Sequence, residues 1–299
     1  MTASPLRLGV HVSISGGIEK AVTRARELGC SAMQIFSRNP RGWEASSLDP
    51  QSVRKFREEG RKSNIDPVVI HTPYLLNLAS RDEQLYRRSI KALIQDLRRA
   101  DDLGARFVVT HLGSGKESSP AASRRKVIKA LREIIEENFS ASLLLENSAG
   151  AGSAVGVTLE EIAEIIEGAG KDPRIGFCFD SCHGFAAGYD FRSEGQSRAL
   201  LQAVDRTVGL GRLRLLHLND CSGPLGAHLD RHQHIGKGKI GLKGFRSLLS
   251  QVSFQRTTMI LETPKRGVED DLENLSRIRG IIHSLREQPE RRDPAARSG

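Results

Sequence analysis

The sequence predicts a single α/β domain, a (β/α)8 barrel whose functional face lies at the C-terminal ends of its strands. Three observations lead there. Short β-rich segments alternate with amphipathic helical ones along nearly all of the 299 residues. The β-rich segments are almost continuously apolar, as strands buried on both faces are. Histidines and carboxylates recur where those apolar runs stop, and eight of the nine histidines lie in or beside a strand-like segment.

Taken in order, the strand segments are LGVHVS (8–13), SAMQIF (31–36), PVVIHT (67–72), RFVVTHL (106–112), SLLLEN (142–147), RIGFCFD (174–180), LRLLHLN (213–219) and TTMILET (257–263). Between them, IEKAVTRARELG, EQLYRRSIKALIQDLRRADDLG, RRKVIKALREIIEEN, LEEIAEIIEGAG and LENLSRIRGIIHSL space their apolar residues three and four apart, the period of a helix with one buried face. Several stop at a glycine, as in ELGC, DLGA and GAGK, while the helix ahead of Glu146 ends near Asn138. Eight strands alternating with about eight helices over some 290 residues is the barrel count. A doubly wound open sheet is the competing arrangement, but no glycine-rich phosphate loop follows the first strand. No linker or shift of composition marks a second domain. The barrel is therefore expected over residues 1–286, with 287–299 a disordered tail.

Composition narrows the class. At 38% hydrophobic, with apolar runs of about five residues at most, no segment approaches a membrane-spanning helix. The opening MTASPLRLGV has neither the charged nor the apolar region of a secretory leader. Cys30, Cys178, Cys182 and Cys221 form no CxxC pair and no disulfide-like framework, so reduced thiols in a cytoplasmic protein are expected. The excess of 45 Lys+Arg over 36 Asp+Glu gives +9, a balance that suits a polyanionic partner such as nucleic acid.

Alone, a histidine or carboxylate at a strand end is more often structural than a ligand, but the conjunction carries more. Glu146, Asp180, Asp230 and Glu262 would meet at one barrel mouth, where like charges raise one another's pKa and resist ionisation. Divalent metal supplies the missing positive charge, and His71, His111, His183, His217 and His232 are interleaved as nitrogen ligands. Catalytic zinc takes three or four protein ligands, so nine ligands with one bridging serve three metals. Such clusters suit phosphoryl transfer.

The segments GVHVSISGG, MQIFSRNPRGW, HTPYLLNLAS, THLGSG, LLLENSAGAG, FDSCHGFAAGYD, HLNDCSGPLGAHLDRHQHIGKGKIG and LETP together resemble the bacterial endonuclease IV family of apurinic/apyrimidinic (AP) endonucleases, in order from about residue 8 to about 285. The resemblance implies a TIM barrel with a trinuclear zinc centre that cleaves the phosphodiester 5′ to an abasic site. It leaves a 3′-hydroxyl and a 5′-deoxyribose phosphate, and it also removes 3′-blocking groups. Carried onto this chain, it assigns His71, His111 and Glu146 to the first zinc. Glu146, as the bridging and catalytic carboxylate, joins Asp180, His217 and Glu262 at the second, and His183, Asp230 and His232 hold the third. Manganese is compatible with one of the sites.

The family's handling of DNA, insertion through the minor groove with extrusion of the damaged nucleotide, points to Arg41, Tyr74 and Leu75. Arg38, Lys237, Lys239 and Lys265 are candidate phosphate contacts, and His11 a residue that orients a ligand. His228 and His234 read as loop residues, and His283 as structural. Ser148 stands where the family commonly has threonine, and Gly184 where it commonly has alanine. The implied partner is abasic or 3′-blocked duplex DNA, met by a monomer at the nucleoid. The rival reading is a metal-dependent sugar isomerase or epimerase on the same kind of barrel, which lacks the DRH pair and the NPRxW and PYLxNL loops.

Overall fold

The apolar runs become strands and the amphipathic runs the helices that cover them. In the computed structural model, which describes residues 6–116 and 118–287, the chain runs β1 (Leu8–Val10), α1 (Lys20–Glu27), β2 (Met33–Phe36), α2 (Pro50–Lys62), β3 (Val68–His71), α3 (Glu83–Leu103), β4 (Phe107–Thr110) and α4 (Pro120–Ile135). It continues β5 (Ser142–Glu146), α5 (Leu159–Gly168), β6 (Ile175–Asp180), α6 (Ser181–Ala186), α7 (Glu194–Thr207), β7 (Leu213–His217), β8 (Asp220–Cys221) and β9 (His232–Gln233). The last elements are α8 (Gly241–Leu249), α9 (Val252–Arg256), β10 (Thr258–Leu261) and α10 (Val268–Arg286). Each of the eight predicted strand segments holds a barrel strand. The tail expected over 287–299 lies outside the described residues, apart from Glu287.

The barrel strands pair in parallel in the order β1-β10-β7-β6-β5-β4-β3-β2. The seam between β1 and β2 closes through a parallel bridge from His11 to Gln34 and through Val12 N–H donating to the Gln34 carbonyl at 2.8 Å. Closure excludes the open-sheet alternative. β8 and β9 form a small antiparallel hairpin, placed above the mouth by the long connection after β7.

The helices begin where the sequence provides caps. Asp49 ahead of Pro50, Asp82 ahead of α3 and Ser119 ahead of Pro120 each accept from amides of the first turn that lack a partner inside the helix. Among the described residues no helix is long and apolar enough to cross a membrane.

Two buried layers follow from the period-two alternation of a strand. Side chains facing outward join the large core beneath the helices. Those facing inward form a separate plug of Ala32, Val69, Val109, Leu144, Cys178, Leu215 and Ile260. The residue two further along each strand points the same way, one level nearer the mouth. That level is the site.

Candidate metal centre

Counting two residues on from each plug residue gives Gln34, His71, His111, Glu146, Asp180, His217 and Glu262, and β1 adds His11 after Gly9. Each of the eight barrel strands thus sends one polar side chain to the same level. His71, Glu146, Asp180 and His217 are the last residues of their strands, and His111 and Glu262 follow theirs by one. They are deeply set: Glu146 and His71 are each 1% exposed, Asp180 and His217 0%.

Glu146 is the hub. Its Oε2 lies 3.3 Å from His71 Nε2 and 3.7 Å from His111 Nε2, and its Oε1 lies 3.1 Å from His217 Nδ1 and 3.3 Å from His183 Nδ1. Four of the imidazoles are each tied down at one nitrogen. His71 Nδ1–H donates to the Thr72 carbonyl at 2.7 Å and His183 Nδ1–H to the Asn147 carbonyl at 3.0 Å. His232 Nδ1–H donates to the Glu262 carbonyl at 3.1 Å, and His217 Nε2–H to Gln34 Oε1 at 2.8 Å. A ring nitrogen that donates to an oxygen leaves the opposite nitrogen with a bare lone pair, the arrangement that orients histidines on metals.

The remaining groups come from loops. Asp180 accepts from His183 N–H at 2.8 Å and so caps α6, which places the His183 ring three residues on over the mouth. Asn219 Nδ2–H donates to Asp180 Oδ2 at 2.6 Å and fixes that carboxylate. The hairpin brings His232 Nε2 to 3.3 Å and His183 Nε2 to 3.1 Å from Asp230 Oδ1. Behind it, the buried Asp220 carboxylate accepts from the amides of Cys221, Gly236, Gly238, Ile240 and Gly241 at 2.8–3.4 Å. Only glycine fits at 238, since a Cβ there would stand 2.4 Å from Asp220 Oδ1. This wraps the GKGKIG loop around one anion and anchors the hairpin.

The donor atoms fall into tight groups. His71, His111 and Glu146 form one, Glu146, Asp180, His217 and Glu262 a second, and His183, Asp230 and His232 a third, each with its ligand atoms within 4.8 Å of one another. Cys182 also lies within that distance of Asp180 and His232. Burial alone would strip protons from the imidazoles. The carboxylates outweigh it at His183, held well above the usual histidine range, and at His232, held up to about 9, and Cys178 with Glu262 and Glu146 does the same for His217. Burial likewise pushes the Glu146 carboxyl up, and the surrounding imidazoles pull it well below its usual range. The set calls for cations, and the residues fit a metal. His232 Nε2 in particular is buried without a hydrogen-bond partner and faces the Asp230 and Asp180 oxygens at 3.3 and 3.8 Å.

Around the mouth, Tyr74 is 68% exposed, its ring 5.8 Å from that of His71, while Leu75 is half-buried and Arg41 exposed. Arg38 corrects the expectation of a phosphate contact. It is 4% exposed, pairs twice with the fully buried Asp96 of α3 and donates to the Trp43 carbonyl. A buried carboxylate demands its counter-charge, so Arg38 fastens the NPRGW loop from below. Lys265 is engaged too, its amino group on the His11 carbonyl and on Asp271 at 3.1 Å. Lys237 pairs with Glu273 at the surface, and Lys239 is exposed.

His228 reaches the Ala149 carbonyl and His234 the Asn274 amide, both as loop contacts, and His283 lies exposed on α10 beside Glu287. Gly184 has its reason: the Phe179 ring stands 2.5 Å from where a Cβ would be. Sequence reasoning missed Gln34, Asn147, Asn219 and Asp220. The period-two count that places His71 and Glu146 also reaches Gln34. Asn147 and Asn219 brace Asp180 and His183, Asp220 gathers the 236–241 loop, and none of the three carried a signal of its own.

Fold and site define a xylose isomerase-like barrel with a metal-capable, histidine- and carboxylate-rich mouth, and residues 22–287 match the family described as xylose isomerase-like TIM barrels. A protein named probable endonuclease 4, from Methanoculleus marisnigri, is 44% identical over 92% of this chain and 98% of its own length. The crystal structure of endonuclease IV from Thermus thermophilus superposes with a TM-score of 0.82 at 39% identity, covering 93% of this chain and 99% of that one. A D-tagatose 3-epimerase-like protein shares the fold at a TM-score of 0.72 but only 20% identity, over 94% and 99% of the two chains. The chain belongs to the endonuclease IV family, the AP endonucleases of DNA repair.

Proposed function

We propose that the mouth holds three divalent metal ions, zinc foremost, and that the chain hydrolyses the phosphodiester 5′ to an abasic site in duplex DNA. The observation that carries this reading is the convergence of nine metal-type donors in three adjoining groups, two of which share Glu146. When bound, the metals supply Lewis-acid charge for the phosphate and activate water for in-line attack.

The chain's own residues do the rest. Glu146 belongs to two of the groups, so it sets their separation and their orientation to each other. The tied-back rings of His71, His183, His217 and His232 keep lone pairs pointed inward without rearrangement. No separate protein base is needed to take a proton. Tyr74, Leu75 and Arg41 stand on two loops at the rim, where they are assigned to enter the duplex and hold the extruded nucleotide. The same open mouth accommodates 3′-phosphate and 3′-phosphoglycolate ends. The reading places the enzyme in the cytoplasm, as a monomer on nucleoid DNA.

The test is a duplex carrying one tetrahydrofuran abasic analogue, with metal counted by mass spectrometry. A single nick leaving a 3′-hydroxyl, and three ions per chain, are expected. Folded, metal-loaded protein that leaves this duplex uncut while turning over a ketose would overturn the assignment.

A further inference from the structure

Gln34 occupies the same level as the metal-type donors but belongs to a different chemistry. It is fully buried on β2. An amide there costs about 1–3 kcal/mol unless its hydrogen bonds are made, and every side-chain bond it makes goes to the ring. Its Nε2 donates to Glu262 Oε1 at 2.5 Å and to His11 Nδ1 at 3.0 Å, and its Oε1 accepts from His217 Nε2 at 2.8 Å. The amide cannot be turned over, because Oε1 would then face the Glu262 carboxylate, acceptor against acceptor.

We propose that Gln34 is a positioning residue for the centre: it fixes His217 in the Nε2–H form and holds one Glu262 oxygen, so that His217 Nδ1 and the other Glu262 oxygen face the space they share with Glu146. The geometry follows link by link. With Oε1 committed as acceptor, His217 Nε2 must carry a hydrogen, and Nδ1, the nitrogen left for a metal, lies 3.1 Å from Glu146 Oε1 and 3.1 Å from Glu262 Oε2. With Glu262 Oε1 occupied by the amide, Oε2 is the oxygen left for the centre. His71, His183 and His232 obtain their orientation from backbone carbonyls, which no substitution removes. His217 alone among these four depends on a side chain. A centre ordered at three rings by the main chain is thus ordered at the fourth by one replaceable amide.

This inference rests on reading the mouth as a metal centre, and the experiment keeps the two apart. Gln34→Met preserves length and volume but neither donates nor accepts. Cobalt(II) uptake would be titrated against a chelator in wild type and variant, with d–d absorption recorded. Long-range proton–nitrogen correlation spectra of the zinc-loaded wild type would show which His217 nitrogen carries the proton. The expected result is a wild-type His217 protonated at Nε2. In the variant, one cobalt should bind about 10–100-fold more weakly with an altered spectrum, the others being retained. A wild-type His217 protonated at Nδ1 overturns the proposal even where the variant does not fold. So does a Gln34→Met chain that binds all its cobalt with wild-type affinity and spectrum. A wild type that takes up no metal removes the metal-centre reading itself, and this inference with it.

Discussion

The ring of strand-borne side chains and the hairpin group above it use the same residue types under different mechanical conditions. In the ring, His71, Glu146, Asp180 and His217 are at most 1% exposed, and their positions are set by eight parallel strands that have no edge. In the hairpin group, the Asp230 side chain is 55% exposed and that of His232 19%, and two-residue strands carry the segment. The Asp220 clasp, the His232 bond to the Glu262 carbonyl and loop contacts such as Ile235 N–H to Asn274 and His228 to the Ala149 carbonyl fasten it down. A closed barrel fixes ligands through its backbone. A loop must recreate that rigidity with individual anchors, of which the buried Asp220 carboxylate gathers the most amides.

Substitutions can break this contrast or sharpen it. The largest effect is expected at the hub: Glu146→Gln should lower incision of an abasic duplex by about 10³-fold, on the scale of losing a preorganised electrostatic contact in the transition state. DNA affinity, read by fluorescence anisotropy, should be retained, and near-normal incision would remove Glu146 from its bridging role. Next comes the clasp. Asp220→Ala should release the 236–241 loop, weaken metal at His183, Asp230 and His232 by about 10–100-fold, and leave the ring loaded, as metal counts after dialysis would show.

Timed chelation extends the comparison without mutation. The hairpin-held ion should leave first, and simultaneous loss of all ions would mean that the two regions are mechanically one. The smallest effect is expected at Gly184→Ala, which sets a methyl against the Phe179 ring. It should cost about 1–3 kcal/mol by overpacking, visible as a few degrees in Tm, with metal content and incision unchanged.

The barrel was legible because each strand announces itself twice, by an apolar run and by the polar residue that ends it. VVIH, LLLE and MILE carry the inward plug residue and, two positions on, the site residue. The hairpin group was legible only through the DRHQH motif, since its loop has no periodicity to place it. Arg38 was misjudged because its partner Asp96 is 58 residues away, on a helix whose charge looked like surface. Gln34 was passed over because a glutamine is not a ligand type, although its position obeys the rule that finds the ligands.

The strand order has a consequence in time. β10 is the last barrel strand to be made, and it inserts between β7 and β1. Until some 260 residues have been polymerised, the ring therefore lacks Glu262, and the slot that Gln34 and His217 border stays open. A nascent or truncated chain carries most of the donors but no finished centre. On the proposed reading of the mouth, incision of DNA would become available only when the last strand seals the barrel.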